Sequence, residues 1–242
     1  RDVLGSRGLG DVYKRQTVKG VNKEDITSLL YELESTKAGL QMKVKVKNKT
    51  YALKTEMMMD YNALNIVGAL TVLEAMGMFD INEYNTCIQK IKIPGRSEVY
   101  QRKGRMIVID SHLPKVLESL QKLKDKKEIN QIKVVIGSMG YGYQNWEPRF
   151  KTTDFIASRK KARKYAMELL KEKVDDVYLT ESDNGKEKVL DICLELKGYL
   201  EDKVSSKIIE DREQAIREAI VDSKEGDVIF ISGRGNRRVL CL

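Results

Sequence analysis

The sequence predicts an α/β protein: a mostly parallel sheet with helices on both faces from about residue 105 onward, preceded by a smaller mixed segment. Three observations lead there. Short β-branched runs alternate with amphipathic stretches throughout the second half, the pattern of strand–helix–strand units. Four of those runs end in polar loops that carry glycine or proline. Hydrophobic residues make up 41% of the 242 positions and charged residues 33%, the balance of a soluble chain with a core.

Taken in order, residues 22–34 place Ile26, Leu29, Leu30 and Leu33 at helical spacing and predict a helix. Residues 43–47 and 51–54 alternate basic and apolar side chains around Asn48–Lys49, which predicts a hairpin. An Ala/Leu/Val-rich helix follows over 62–76 and stops at Gly77. Asp80 with Glu83 three positions on resembles a capping box that opens a helix to about residue 90. Pro94–Gly95 then marks a boundary. Beyond it, strands are expected at 106–110, 133–136, 177–180, 207–209 and 228–232. Helices are expected near 114–124, 155–173, 186–201 and 212–223, with Asp211 and Gln214 capping the last.

Composition excludes several classes. No run approaches the ~18 consecutive apolar residues of a membrane helix, so no membrane insertion is expected. Cys87, Cys193 and Cys241 are scattered without metal-ligand spacing, and a single histidine precludes a multi-histidine metal centre. The net charge of +8 is spread over helix faces and linkers, which predicts a solvated basic surface and no nucleic-acid partner. A cytoplasmic location and a monomer are the expectation. Residues 6–16, SRGLGDVYKRQ, look like the translation of a transposon sequencing adapter. Residues 1–16 are accordingly set aside as non-native, and the natural protein is expected to start upstream.

In sheets of this kind ligands bind beyond the carboxyl ends of the strands. The segments there are DSHLP (110–114), GSMGYGYQNWEPR (137–149), TESDNGKE (180–187) and SGRGNRR (232–238). Each has an ordinary explanation as well. Aspartates at strand ends are usually turn residues, glycine-rich loops are mostly turns, and Trp146 suits a packing anchor.

The ordered set of motifs is more specific than any one of them. YNALN (61–65), IPGRSE (93–98), DSHLP and GDVIFISGRGN (226–236) resemble, in order and approximate spacing, segments of the Mur ligase family. The branch most resembled is that of the UDP-N-acetylmuramoyl-tripeptide synthetases. The resemblance implies a Rossmann-like C-terminal domain over 94–242, preceded at 17–93 by the tail of a truncated central ATPase domain. It also implies ATP and Mg2+ as cofactors, with the metal ligands and the P-loop in a missing upstream part. The implied substrates are a UDP-N-acetylmuramoyl-peptide and an amino acid, joined through an acyl phosphate. Another ligase of the superfamily (folylpolyglutamate or cyanophycin synthetase-like) and a non-catalytic basic nucleotide- or nucleic-acid-binding module remain as alternatives.

Carried over residue by residue, the resemblance gives Asn65 the adenine edge and Arg96 the ribose–phosphate region. Asp110 is assigned to the ribose hydroxyls, and His112 to the γ-phosphoryl group as the catalytic residue. The amino-acid substrate is assigned to Asp183, Asn184, Lys186, Gly233 and Arg237. Departures occur at this last group. The family's Gly-Gly-Asp-Arg is Met139-Gly140-Tyr141-Gly142 here, and its Asp-Asn-Pro-Arg is Asp183-Asn184-Gly185-Lys186. Its G-K-G-H-E loop is GRGNR, with Arg237 at an acidic position. Lys186 and Arg237 become candidates to hold the substrate's α-carboxylate, because a buried unpaired charge is costly; both also read as solvated loop charges.

Overall fold

A computed structural model describes residues 28–46, 49–140 and 152–233. Its backbone contacts divide the chain into two compact units, one ending at Lys92 and the other beginning at Ile93.

In the first unit β1 (Ser28–Thr36), β2 (Gly39–Val46) and β3 (Lys49–Thr55) form an antiparallel sheet in that order. Strand β2 shows why: Leu40, Met42, Val44 and Val46 are buried while Gln41 and Lys43 face solvent, a period of two. Helices α1 (Tyr61–Ala75) and α2 (Ile81–Lys90) complete the core, with Ala63, Ile66, Leu70, Tyr84 and Ile88 packed against the strand residues. The Asp80 carboxylate accepts the Asn82 and Glu83 N–H groups, so the expected cap forms. Burial pushes the Tyr84 hydroxyl up to about 12, and it donates to the Ile66 carbonyl at 2.5 Å.

The helix expected over 22–34 is corrected: the part described, from Ser28, is strand β1. A register shift between Leu30 and Glu32 marks a bulge. Beyond it Leu33 and Ser35 fall on the inward side with Leu30, while Glu32 and Glu34 point out. One extra residue turned a period of two into the i, i+3 spacing that imitates a helix.

The second unit is built on a six-stranded sheet ordered β4-β5-β9-β6-β7-β8. Its strands are β4 (Glu98–Arg102), β5 (Arg105–Asp110), β6 (Ile132–Ile136), β7 (Asp176–Leu179), β8 (Ser205–Ile208) and β9 (Val228–Ser232). All neighbours pair in parallel except β4 with β5. Strand β4 was not anticipated. Lys103 and Gly104, both with left-handed φ, make the two-residue turn that its hairpin needs. Between the parallel strands run α3 (Leu113–Asp125), α4 (Thr152–Lys173), α5 (Val189–Leu200) and α6 (Arg212–Val221). Ala215 and Ala219 of α6 cover Val135, Tyr178 and Ile229 on one face of the sheet. Helix α4 packs between α3 and α5. Every residue of β6 is buried, as expected of a central parallel strand. The carboxyl ends of β5, β6, β7 and β9 therefore share one edge.

Candidate functional site

At that edge the residues after β5 form a brace. Met106, Val108 and Asp110 share the inward phase of the strand, so the Asp110 carboxylate ends up with no exposed surface. One oxygen accepts the Ser97 N–H at 2.8 Å and lies 3.4 Å from the Ser97 hydroxyl; the other accepts the His112 N–H at 2.7 Å. Ser97 sits at φ 49°, a left-handed conformation that costs about 1–2 kcal/mol in a non-glycine residue. The buried carboxylate compensates by holding the turn. Glu98 accepts the Gly95 N–H from the same turn at 2.9 Å.

This brace carries two exposed groups. Arg96 donates to the Ser111 hydroxyl, and its guanidinium lies 4.0 Å from Asp110. His112 stands at the N-terminus of α3, with Pro114 in the first turn. An arginine, a histidine and a helix N-terminus together favour an anion such as a phosphate. Asp110 is a different matter: a ribose hydroxyl would have to reach a carboxylate that is buried and already engaged. Asn65 belongs to the first unit, where it is exposed on α1 and its amide donates to Asn62 at 3.4 Å.

The loops after β6 and β7 are joined backbone to backbone. Gly140 donates its N–H to the Asp183 carbonyl at 2.9 Å, and a Cβ there would stand 1.8 Å from the Asn184 carbonyl oxygen. At Gly137 a Cβ would lie 2.5 Å from the carbonyl oxygens of Thr180 and Glu181. Asp183 is buried, Asn184 donates to the Glu187 carbonyl at 3.0 Å, and Lys186 is exposed. Gly233 stands close to the loop after β6, since its Cβ would be 3.5 Å from the Gly137 carbonyl oxygen. Gly142, Trp146, Arg234 and Arg237 lie outside the described residues.

Two arginines that sequence reading missed hold these loops. Arg163 of α4 is almost wholly buried, its side chain 2% exposed. It donates to Ser138 (3.3 Å), the Met139 carbonyl (3.0 Å), both oxygens of Glu187 (3.1 and 2.6 Å) and Glu195 (2.6 Å). Burial works against its charge, but the two carboxylates outweigh that and raise its pKa. The signal was available: Arg163 falls in helical phase with buried Met167 and Leu170. Arg212, in the first turn of α6, donates to the Ser232 carbonyl at 2.8 Å and the Glu181 carbonyl at 3.3 Å. A basic residue in a first turn opposes the helix dipole, which hints at a partner elsewhere. Among the described residues no group of three or more His, Cys, Asp or Glu could hold a metal ion. Nor is any described helix long and apolar enough to cross a membrane.

Comparison with known proteins matches residues 95–235 to the family described as Mur ligase, glutamate ligase domain, more than half of the chain. The UDP-N-acetylmuramyl-tripeptide synthetase of Lactobacillus delbrueckii subsp. bulgaricus is 29% identical over 187 residues, covering 74% of this chain and 32% of that protein. A UDP-N-acetylmuramoyl-L-alanyl-D-glutamate–2,6-diaminopimelate ligase of Aquifex aeolicus is 27% identical over 203 residues, covering 82% of this chain and 38% of that protein. The chain thus spans about a third of the length of the curated relatives it matches. Among solved structures, a MurF ligase from Thermotoga maritima in complex with ADP superposes with a TM-score of 0.55 at 19% identity, covering 86% of this chain and 43% of that one. Fold, motif order and family match agree: the chain belongs to the Mur ligase family.

Proposed function

We propose that the chain is the C-terminal part of an ATP-dependent ligase that adds an amino acid to a UDP-N-acetylmuramoyl-peptide. In this reading residues 17–93 end a central ATP-binding domain and 94–242 form the C-terminal domain of a cytoplasmic monomer. The supporting observation is the brace after β5, which sets Arg96 and His112 on the exposed rim at the N-terminus of α3. Asn65 would read the adenine edge. Arg96 and His112 would take the phosphates, while Asp110 keeps their two turns in register from beneath. The substrate carboxylate attacks the γ-phosphorus and ADP departs; the incoming amine then displaces phosphate from the acyl carbon and loses a proton. Phosphoryl transfer depends chiefly on positioning and charge neutralisation, which Arg96 and His112 can supply. Magnesium would neutralise the triphosphate from ligands outside the described residues. Lys186 and Arg237 would hold the amino acid's carboxylate, with Asp183, Asn184 and Gly233 shaping the pocket.

The test is ADP release by the full-length protein with the UDP-linked peptide and candidate amino acids. Turnover that needs all three substrates, and falls by about 100-fold or more in Arg96→Ala and His112→Ala, supports the reading. Substrate-independent ATP hydrolysis, or none at all, overturns it. The 242-residue chain alone is expected to show no turnover.

A further inference from the structure

Resting on the ligase reading above, the geometry points to Arg163 as a positioning residue that sets the amino-acid pocket from behind, acting through the loops after β6 and β7. Every N–H of its guanidinium is committed, and the partners lie on three separate segments: Ser138 and Met139 after β6, Glu187 after β7, and Glu195 on α5. The two-oxygen pairing with Glu187 fixes direction as well as distance, since two parallel bonds leave little rotation. Glu187 closes the turn that begins at Asn184, directly after Asp183, and contains Lys186, and Asn184 returns a bond to the Glu187 carbonyl. A displacement of Arg163 is therefore transmitted to Lys186 through one short turn. The other loop cannot move alone either, because Gly140 is packed against Asn184 and bonded to Asp183. Neither loop belongs to a strand or helix at these residues, so no backbone ladder would restore the arrangement.

Arg163 touches no exposed surface at which substrate could bind, and its effect must appear through the loops. Lysine keeps the charge but supplies a point charge with three donors in place of a planar fork. In the full-length protein, Arg163→Lys and Glu187→Gln are expected to raise the amino acid's KM roughly 10- to 100-fold, because misplacement of a binding group by about 1 Å has effects of that order. The KM for ATP should stay within about twofold. Met167→Ala, which opens a cavity under the same helix, serves as the stability control: it should lower Tm and leave both KM values in place. A second measurement needs no turnover. Amide hydrogen exchange of this chain should show residues 138–140 and 181–187 losing protection at least tenfold in Arg163→Lys and not in Met167→Ala. Unchanged protection overturns the proposal, as does a rise in both KM values together or in neither. If the wild-type full-length protein lacks ligase turnover, the ligase reading fails, and the exchange result still decides whether Arg163 holds the loops.

Discussion

At the carboxyl ends of β6, β7 and β9 the groups that hold the chain are arginines reaching across loops, whereas at the amino ends they are lysines paired with nearby carboxylates. Arg163 and Arg212 bond to the Met139 and Glu181 carbonyls and the Glu187 side chain in loops, and tie these to Glu195 on α5 and Ser232 on β9. At the opposite edge Lys133 pairs with Asp176, its registered neighbour on β7, and Lys124 reaches Asp175 at 2.6 Å. Tyr178 donates to Asp222 at 2.8 Å and Lys207 meets the same carboxylate at 2.6 Å, around a polar cleft of about 270 Å³. The lysine pairs join residues in or directly beside strands and helices, which backbone bonds already fix. The arginines tie loop residues, which no strand ladder holds, to a helix and a strand. Losing a pair at the amino edge should therefore subtract a local increment, while losing an arginine should also displace what it holds.

The largest effect that this difference predicts is at Arg163. Arg163→Met leaves Glu187 and Glu195 without their cation, and breaking a buried pair in this way costs about 3–5 kcal/mol. Chemical denaturation should show that loss at pH 7. A loss below 1 kcal/mol would mean that the loops find other support.

Gly140→Ala comes next, with an expected loss of about 1–3 kcal/mol from overpacking, because the new methyl would meet the Asn184 carbonyl. Gly198→Ala is the contrast, since nothing stands within 4 Å of a Cβ there and alanine suits a helix. Thermal melts of the two variants should shift in opposite directions.

At the amino edge Tyr178→Phe should remove about 1 kcal/mol, the net worth of one hydrogen bond, and leave the loops protected from exchange. Burial first, then Asp222, pushes the Tyr178 hydroxyl far above its ordinary pKa, so it remains a donor throughout the working range. A loss of loop protection in this variant would collapse the distinction between the edges.

The smallest effect concerns pH. Lys207, and then the Tyr178 hydroxyl, hold the Asp222 carboxyl below its usual value. A depressed folded pKa stabilises above the unfolded value of about 3.9 and is lost as pH falls through the lower folded one. Asp222→Asn should accordingly flatten the acid limb of the stability profile below about pH 4. Lys207 is half exposed, which keeps the amplitude small. An acid limb of unchanged slope would show that the pair contributes nothing.

Much of the second unit was legible because parallel strands buried on both faces leave compact apolar runs. The run at 228–232 is strand β9 with the same bounds, and the Asp211 cap forms as expected, accepting the Gln214 N–H at 2.7 Å. What escaped was structure set by partners distant in sequence. The bulge in β1 hid a strand, and β4 reads as polar because it is a mostly exposed edge. The motif segments after β5, β6, β7 and β9 do fall at one edge of the sheet. They could not reveal that Asp110 is buried beneath Ser97, nor that Arg163 spends its charge inside the protein.

The place of β9 has a consequence for how the protein comes into being. Among the described strands of the sheet, the last to be synthesised lies in its middle, between β5 and β6. Until residues 228–232 emerge from the ribosome, the β4–β5 hairpin and the β6–β7–β8 group cannot be neighbours in one sheet, and each shows an open, apolar edge. Such edges invite pairing with other chains. Ribosome-bound chains arrested just short of this strand should be cut readily by protease and those just beyond it should resist. The sheet thus closes like a keyed joint, its final piece entering at the centre.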